Sequence, residues 1–244
     1  MGIQTADALV LRQYAFRETS LIVTCLTPTH GKLKGLIKGI RGPRSKYRSA
    51  MEPLTLNRIV FYETRTSSLH LISQCELLEP LTELQQEFER VKLAAFCVEL
   101  TDVTTELEEP QALIFAYLLR TLRELTGLTS AADLSALRLH FILRTLRLTG
   151  FRPQLNECAS CGKSSALQGY WSASQGGLLC HSCLYHDPSA NELQPAVLEA
   201  LIHCAESDDR PVLHPAHAVV ITKLLNDFMH WRLDRPLKTM RSLS

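Results

Sequence analysis

Cys158, Cys161, Cys180 and Cys183 follow the spacing C-x2-C-x18-C-x2-C, which lets two thiolate pairs meet around one tetrahedral ion. Within each pair the two-residue gap allows both sulfurs to reach the same metal. Gly162, directly after Cys161, can supply the positive φ that such a knuckle often needs. Four thiolates close the coordination shell and leave no position for substrate or an activated water, so the expectation is one structural Zn2+ per chain. His181, inside the second knuckle, is an alternative ligand, and four reduced core cysteines are the plainer alternative for the whole set. The remaining thiols, Cys25, Cys75, Cys97 and Cys204, each lie in an apolar segment, where cysteine behaves as a small hydrophobe.

A second group is cationic. From Lys32 to Arg48 there are seven basic residues and no acidic one: Lys32, Lys34, Lys38, Arg41, Arg44, Lys46 and Arg48. A strand over residues 31–40 would project Lys32, Lys34 and Lys38 from one face and point Leu33 and Ile37 into a core. The loop after it sets Arg41, Arg44, Lys46 and Arg48 around Tyr47, a combination suited to phosphates and base stacking. The alternative is a solvated charged edge that protects the sheet from aggregation. From Leu81 to Pro110 the balance reverses, with eight acidic residues against Arg90 and Lys92. Two regions with different surface roles are expected, the first suited to a polyanion.

Catalytic signatures are missing. Gly162-Lys163-Ser164 resembles the end of a phosphate-binding loop, but Glu157 holds the place of its first glycine and Cys158 and Cys161 lie within it. There is no H-E-x-x-H, G-x-S-x-G or G-x-G-x-x-G, and the nine histidines show no ligand spacing relative to each other. The reading is therefore non-enzymatic, with a nucleic-acid enzyme carrying an unrecognised carboxylate site as one alternative. A zinc-ribbon binding protein associated with RNA or transcription is another.

The elements that must position these groups change in kind along the chain. Residues 8–14, 19–27, 31–40, 54–63 and 69–77 read as strands, short and rich in β-branched and aliphatic residues. Apolar parity slips between Leu54/Leu56 and Ile59/Phe61, which suggests a bulge that lets a small sheet curl and close. Five strands suit a closed barrel, and the oligonucleotide-binding barrel is the five-stranded solution most often found on nucleic acid. From Pro80 the period is helical: Leu81, Leu84, Phe88, Val91, Ala95 and Val98 fall on one stripe, expected to be core. Further helices are expected over 111–125, 134–148, 194–205 and 216–233, the last presenting Val220, Leu224, Phe228 and Trp231 on one face. Between the cysteine pairs, residues 169–171 and 176–179 look like two short strands joined by a turn. The fold class is α+β: an OB-type barrel over 1–80 and a helical domain over 81–244 with the zinc module, 153–187, inserted.

A net charge of +1 with 45% hydrophobic and 21% charged residues is an ordinary globular composition, and whole-chain charge points to no partner. No apolar run reaches the length of a membrane-spanning helix, and the opening Met1-Gly2-Ile3-Gln4-Thr5 lacks the features of a signal peptide. A cytoplasmic protein is expected.

The order of parts resembles one family, the RecO recombination mediators of bacteria. The resemblance rests on Ala8-Leu9-Val10-Leu11-Arg12, on Glu18-Thr19-Ser20-Leu21-Ile22-Val23-Thr24 and on the run His30 to Gly39. Cys158-Ala159-Ser160-Cys161-Gly162 and Cys180-His181-Ser182-Cys183 complete it. It implies a protein that binds single- and double-stranded DNA without sequence preference and anneals complementary strands. It also implies work with RecR and RecF to load RecA onto strands coated by single-stranded DNA-binding protein. The family is expected to dock that protein's acidic C-terminal tail, which needs cations beside an apolar pocket. On the helix over 134–148, His140, Arg144 and Arg147 share a face at spacings of four and three, and Phe151 and Arg152 extend it. Arginine stems covering the core would produce the same pattern; the Trp231-Arg232-Arg235 end of the last helix is next in line.

Overall fold

The computed structural model describes residues 2–42, 50–64, 67–164, 169–210 and 212–242. The chain divides into two compact units, residues 1–127 and 128–244.

The first unit is built on a closed barrel of β1 (Ile3–Phe16), β2 (Ser20–Thr27), β3 (Gly31–Ile37), β4 (Leu56–Tyr62) and β5 (Leu69–Glu79), in the order β1-β2-β3-β5-β4. All neighbours are antiparallel except β3 and β5. β1 starts earlier than its apolar run suggests because it serves two partners: Ile3 to Leu9 pair with β4 and Leu9 to Phe16 with β2. A bulge between Val10 and Arg12 bends it from one to the other. The irregularity expected in β4 lies on the β4–β5 ladder, which shifts at Leu56/Asn57 and again at Val60/Phe61. Leu54 itself precedes the strand, with a φ of 65°. The interior is filled by Val10, Val23, Cys25, Leu33, Ile59, Phe61, Ile72 and their neighbours.

A 3-10 turn, Thr82–Gln86, then leads into α1 (Phe88–Thr104) and α2 (Ala112–Leu125), which pack on each other and on the barrel. The single stripe expected from Leu81 to Val98 does not exist. Glu87 is extended, with φ −129° and ψ 122°, so Leu81 and Leu84 are buried from a separate turn. Phe88 is 73% exposed, and α1 buries Leu93, Phe96, Cys97 and Leu100 beside the expected Val98.

In the second unit α3 (Ala131–Leu148), α4 (Pro195–Glu206) and α5 (Pro215–Arg232) pack pairwise around Leu137, Phe141, Leu198, Leu201, Leu225 and Phe228. α3 ends where expected, Phe151 N–H reaching back to Leu146 O at 2.8 Å past Gly150. Pro195 and Pro215 open α4 and α5 at positions where a missing N–H costs nothing. The face of α5 is rotated from the one expected: Ile221, Leu224, Leu225 and Phe228 are buried, but Trp231 is 65% exposed. Between α3 and α4 lies a small sheet of β6 (Tyr170–Ser172), β7 (Gly177–Leu179) and β8 (Asn191–Glu192) in the order β7-β6-β8. The two strands expected between the cysteine pairs are β6 and β7. Among the described residues no helix is long and apolar enough to cross a membrane.

Candidate metal centre and nucleic-acid interface

The small sheet brings both cysteine pairs together. Cys158 and Cys161 flank a turn closed by Gly162 N–H on Cys158 O at 2.9 Å, and Gly162 has the φ of +71° that the knuckle requires. Cys180 and Cys183 sit at the start of a 3-10 turn, with Cys183 N–H on Cys180 O at 2.9 Å. Ala159 N–H on Leu178 O, at 2.7 Å, ties the first knuckle to β7. All four sulfurs lie within 4.8 Å of one another.

The chemistry of the set fits a metal. Cys161 Sγ and Cys180 Sγ are 3.8 Å apart, and sulfurs placed tetrahedrally at about 2.3 Å from an ion stand about 3.8 Å apart. Burial pushes the Cys158 thiol up, but backbone donors at Cys180, Cys161 and Ser160 outweigh it and bring it to about 6. Cys183 is raised to about 12, by burial first and then by its bonds to Cys180 and Cys161. So small a volume does not accommodate four thiolates without a cation, and the cluster can hold one metal ion. Cys25, Cys75 and Cys204 are different: burial raises them to about 12, 11 and 11, as expected of inert core thiols.

Two contacts that the sequence does not advertise fix this module. Trp171 on β6 is buried with its ring 5.9 Å from that of Phe228 on α5. Asp187 accepts hydrogen bonds from Ser172 Oγ (2.5 Å), Ser189 Oγ (2.6 Å), Ser174 Oγ (2.9 Å) and Ser189 N–H (3.0 Å). Those donors, Ser172 first, hold its carboxyl at about 2.

The cationic strand divides in two. Lys32 points outward from β3, as alternation requires, but it is only 6% exposed. Its ammonium donates to the backbone oxygens of Asp102 at 2.5 Å and Thr105 at 2.6 Å and stands 3.2 Å from the Asp102 carboxylate. Arg12 Nε lies 3.2 Å from the same carboxylate. The expectation that Lys32 shares an open surface with Lys34 and Lys38 is corrected accordingly. The last carbonyls of α1 carry the negative end of the helix dipole, and Lys32 caps them. The chain beyond α1 then lies along β3, with Glu108 N–H on Lys32 O at 2.9 Å. Gly31, at φ +64°, leaves room for it; a Cβ there would come within 2.0 Å of Glu109 O. On the buried His70, Thr64 N–H reaches Nδ1 at 3.3 Å and Glu108 Oε1 lies 3.2 Å from Nε2. Part of the acidic stretch therefore answers the basic strand within the molecule.

Lys34 is half-buried, Lys38 and Arg41 are exposed, and none of the three makes an ion pair with another described residue. Arg41 N–H on Thr19 O, at 2.9 Å, holds it beside the β1–β2 turn. Arg44, Lys46, Tyr47 and Arg48 lie outside the described residues.

The arginine group on α3 is gathered but not open. His140 is buried at 5% exposure, on the inward side of α3, and does not belong to an exposed face. Arg144 and Arg147 both pair with Asp208, and Arg147 also donates to Glu206 O at 3.0 Å. Arg152 lies 3.5 Å from the Glu206 carboxylate. The segment after α4 supplies its own counter-charge, which periodicity within α3 could not reveal.

A closed five-stranded barrel with exposed cations at one end of β3, joined to helices that carry a four-cysteine centre, defines an OB-type barrel protein with a thiolate module. Family models described as Recombination protein O N terminal and Recombination protein O C terminal match residues 1–81 and 85–241. The chain is 33% identical over 201 residues to the DNA repair protein RecO of Pelotomaculum thermopropionicum, covering 82% of this chain and 76% of that one. To the protein of the same name from Nocardioides sp. it is 30% identical over 241 residues, 96% of each chain. To that of Bacillus subtilis it is 28% identical over 195 residues, 80% of this chain and 74% of the other. The chain belongs to the RecO family of DNA repair and recombination proteins.

Proposed function

We propose that this chain is a recombination mediator that binds single- and double-stranded DNA through its barrel and anneals complementary strands. With RecR and RecF it would help load RecA onto strands coated by single-stranded DNA-binding protein, in the cytoplasm and on the nucleoid. The observation that carries the binding step is the set of cations Lys34, on β3, and Lys38 and Arg41, just after it, none of which makes an ion pair with another described residue. Arg44, Lys46, Tyr47 and Arg48 extend the same segment in sequence, whereas Lys32 serves the junction with α1. The barrel over 1–80 is the DNA-binding unit, and residues 81–244 form the helical part with Cys158, Cys161, Cys180 and Cys183 holding a structural Zn2+. A thiolate shell closed by four cysteines leaves the ion no open position, so its role is to fold the module.

Phosphate contacts dominate such binding, which weakens with salt and barely with base sequence. Lys34→Ala with Lys38→Ala should lower affinity for an oligonucleotide and make the salt dependence shallower by about 1.4 in log–log slope on single strands. Annealing of complementary oligonucleotides coated by their binding protein should fall with it. Parent-like affinity and slope in that variant would reassign the cations to edge protection.

A further inference from the structure

The eight cysteines differ in what can reach them. Cys25, Cys75, Cys97 and Cys204 are buried, and Cys158 and Cys183 are sealed against Leu179 at 2% and 6% exposure. Cys161 is exposed and Cys180 is half-buried. Each knuckle therefore contributes one sealed sulfur and one that solvent reaches. The two accessible sulfurs belong to different knuckles, yet their Sγ atoms stand 3.8 Å apart. A disulfide has an S–S length of about 2.05 Å, so a modest rotation of two side chains would join them. The backbone keeps the pair facing: Ala159 N–H on Leu178 O ties the first knuckle to β7, and Cys180 follows β7 directly.

A cysteine ligates a metal as its thiolate, which is also the form that peroxides oxidise, and access selects among thiolates. Among the thiolates of this shell, access singles out Cys161 first and Cys180 second. The sealed sulfurs behind them are shielded by the module itself.

We propose that Cys161 and Cys180 are a peroxide-sensitive pair, converted by hydrogen peroxide to a disulfide that bridges the two knuckles and opens the metal shell. This rests on the structural-metal reading above. The Cys161 thiolate attacks one peroxide oxygen: an S–O bond forms, the O–O bond breaks and hydroxide leaves. That sulfur, oxidised by two electrons, is now a sulfenic acid. The Cys180 thiolate attacks it in turn, forming the S–S bond as the S–O bond breaks and a second hydroxide leaves. Two thiolates, one hydrogen peroxide and two protons thus give one disulfide and two waters. Cys158 and Cys183 stay reduced, and two thiolates no longer close a tetrahedral shell. The new bond spans the same two knuckles that the shell joined, so the turns stay tethered and a dithiol reverses the step.

The test exposes the full, zinc-loaded chain to hydrogen peroxide, following released zinc with a chromogenic chelator and linked cysteines by peptide mass spectrometry. Zinc and disulfide should appear in equal amounts, with Cys161 linked to Cys180, and a dithiol with added zinc should restore both. Cys161→His keeps four donors but removes the first target, and should hold its zinc about tenfold longer in the same peroxide. Should that variant fail to bind zinc, the disulfide map of the parent decides alone. A link within either knuckle or to a core thiol would overturn the pair, as would zinc release with higher sulfur oxides and no disulfide. A zinc-loaded chain whose thiols resist peroxide would sink the switch and leave the metal reading standing. A chain isolated without zinc that still forms the Cys161–Cys180 bond would do the reverse.

Discussion

The barrel and the cysteine module reach order by different routes. Barrel strands of seven to fourteen residues close on themselves and surround an interior of aliphatic and aromatic side chains. The module has strands of three, three and two residues, and its buried cluster is Cys158, Leu179 and Cys183. Two of those three belong to the thiolate set. Burial sustains the first; on the proposal that the four cysteines hold Zn2+, ligation makes up for the small apolar surface of the second. Their cations differ as well. Among the described residues, Lys34, Lys38 and Arg41 of the barrel unit have no carboxylate partner, while the helical unit answers Arg144, Arg147 and Arg152 with Asp208 and Glu206.

The sharpest way to break the comparison is to remove a sulfur. Metal binding in small zinc modules supplies on the order of 10 kcal/mol of folding free energy, so Cys158→Ser or Cys183→Ser should abolish most of the module's order. Metal analysis should give one equivalent of zinc in the parent and well under one in the variants. Hydrogen exchange should report lost protection over 153–193 with the barrel amides unaffected. Full protection of the module in metal-free protein would show that burial suffices there too.

Within the barrel unit, Lys32 and Lys34 test the division of the cationic strand. Lys32→Ala leaves Asp102 buried with Arg12 as its remaining cation and uncaps α1, and should cost about 3 kcal/mol in denaturant unfolding. Lys34→Ala, on a half-exposed position, should change stability by no more than about 0.5 kcal/mol and act on DNA affinity instead. Equal stability of the two variants would mean that the junction draws nothing from its charge network.

Asp187 is a smaller effect with a pH signature. Its carboxyl is held at about 2, by Ser172 first, against about 4 in an unfolded chain. A lowered value means that the carboxylate's contribution is complete above pH 4 and is lost as pH falls from about 4 to about 2. Asp187→Asn should cost about 1 kcal/mol at neutral pH, given partial solvent access. The gap between variant and parent, read from Trp171 emission, should close through that window. A gap that persists at pH 2 would assign the effect to packing rather than to charge.

What was legible in the sequence follows from the range of each interaction. Knuckle spacing, strand alternation and the helix ends at Gly150, Pro195 and Pro215 are local, and the cysteine cluster and barrel follow from them. The role of Lys32 is not legible because its partner, Asp102, lies seventy residues away and no periodicity on β3 announces a helix end above it. The same holds for Asp208 over Arg144, and for the rotated faces of α1 and α5, where several apolar stripes fit the pattern and packing selects one. Which residues of β1 face outward depends on register across the closed barrel, which the bulge between Val10 and Arg12 sets, and residue types alone do not locate that bulge.

A change with little effect on stability is the most informative about partners. Asp208 is 73% exposed, so Asp208→Asn should change stability by under about 1 kcal/mol. On the proposal that Arg144, Arg147 and Arg152 receive the acidic tail of single-stranded DNA-binding protein, however, Asp208 competes for the guanidinium groups of Arg144 and Arg147. Removing its charge should then tighten binding of a tail peptide several-fold, most at low salt, where the intramolecular pair is least screened. Arg144→Glu with Arg147→Glu should abolish peptide binding and leave annealing of naked strands intact. If Asp208→Asn and the double arginine variant both bind the peptide as the parent does, the arginines of α3 serve only to hold the segment after α4. The docking surface would then move to the exposed Trp231 and its neighbours Arg232 and Arg235 at the end of α5.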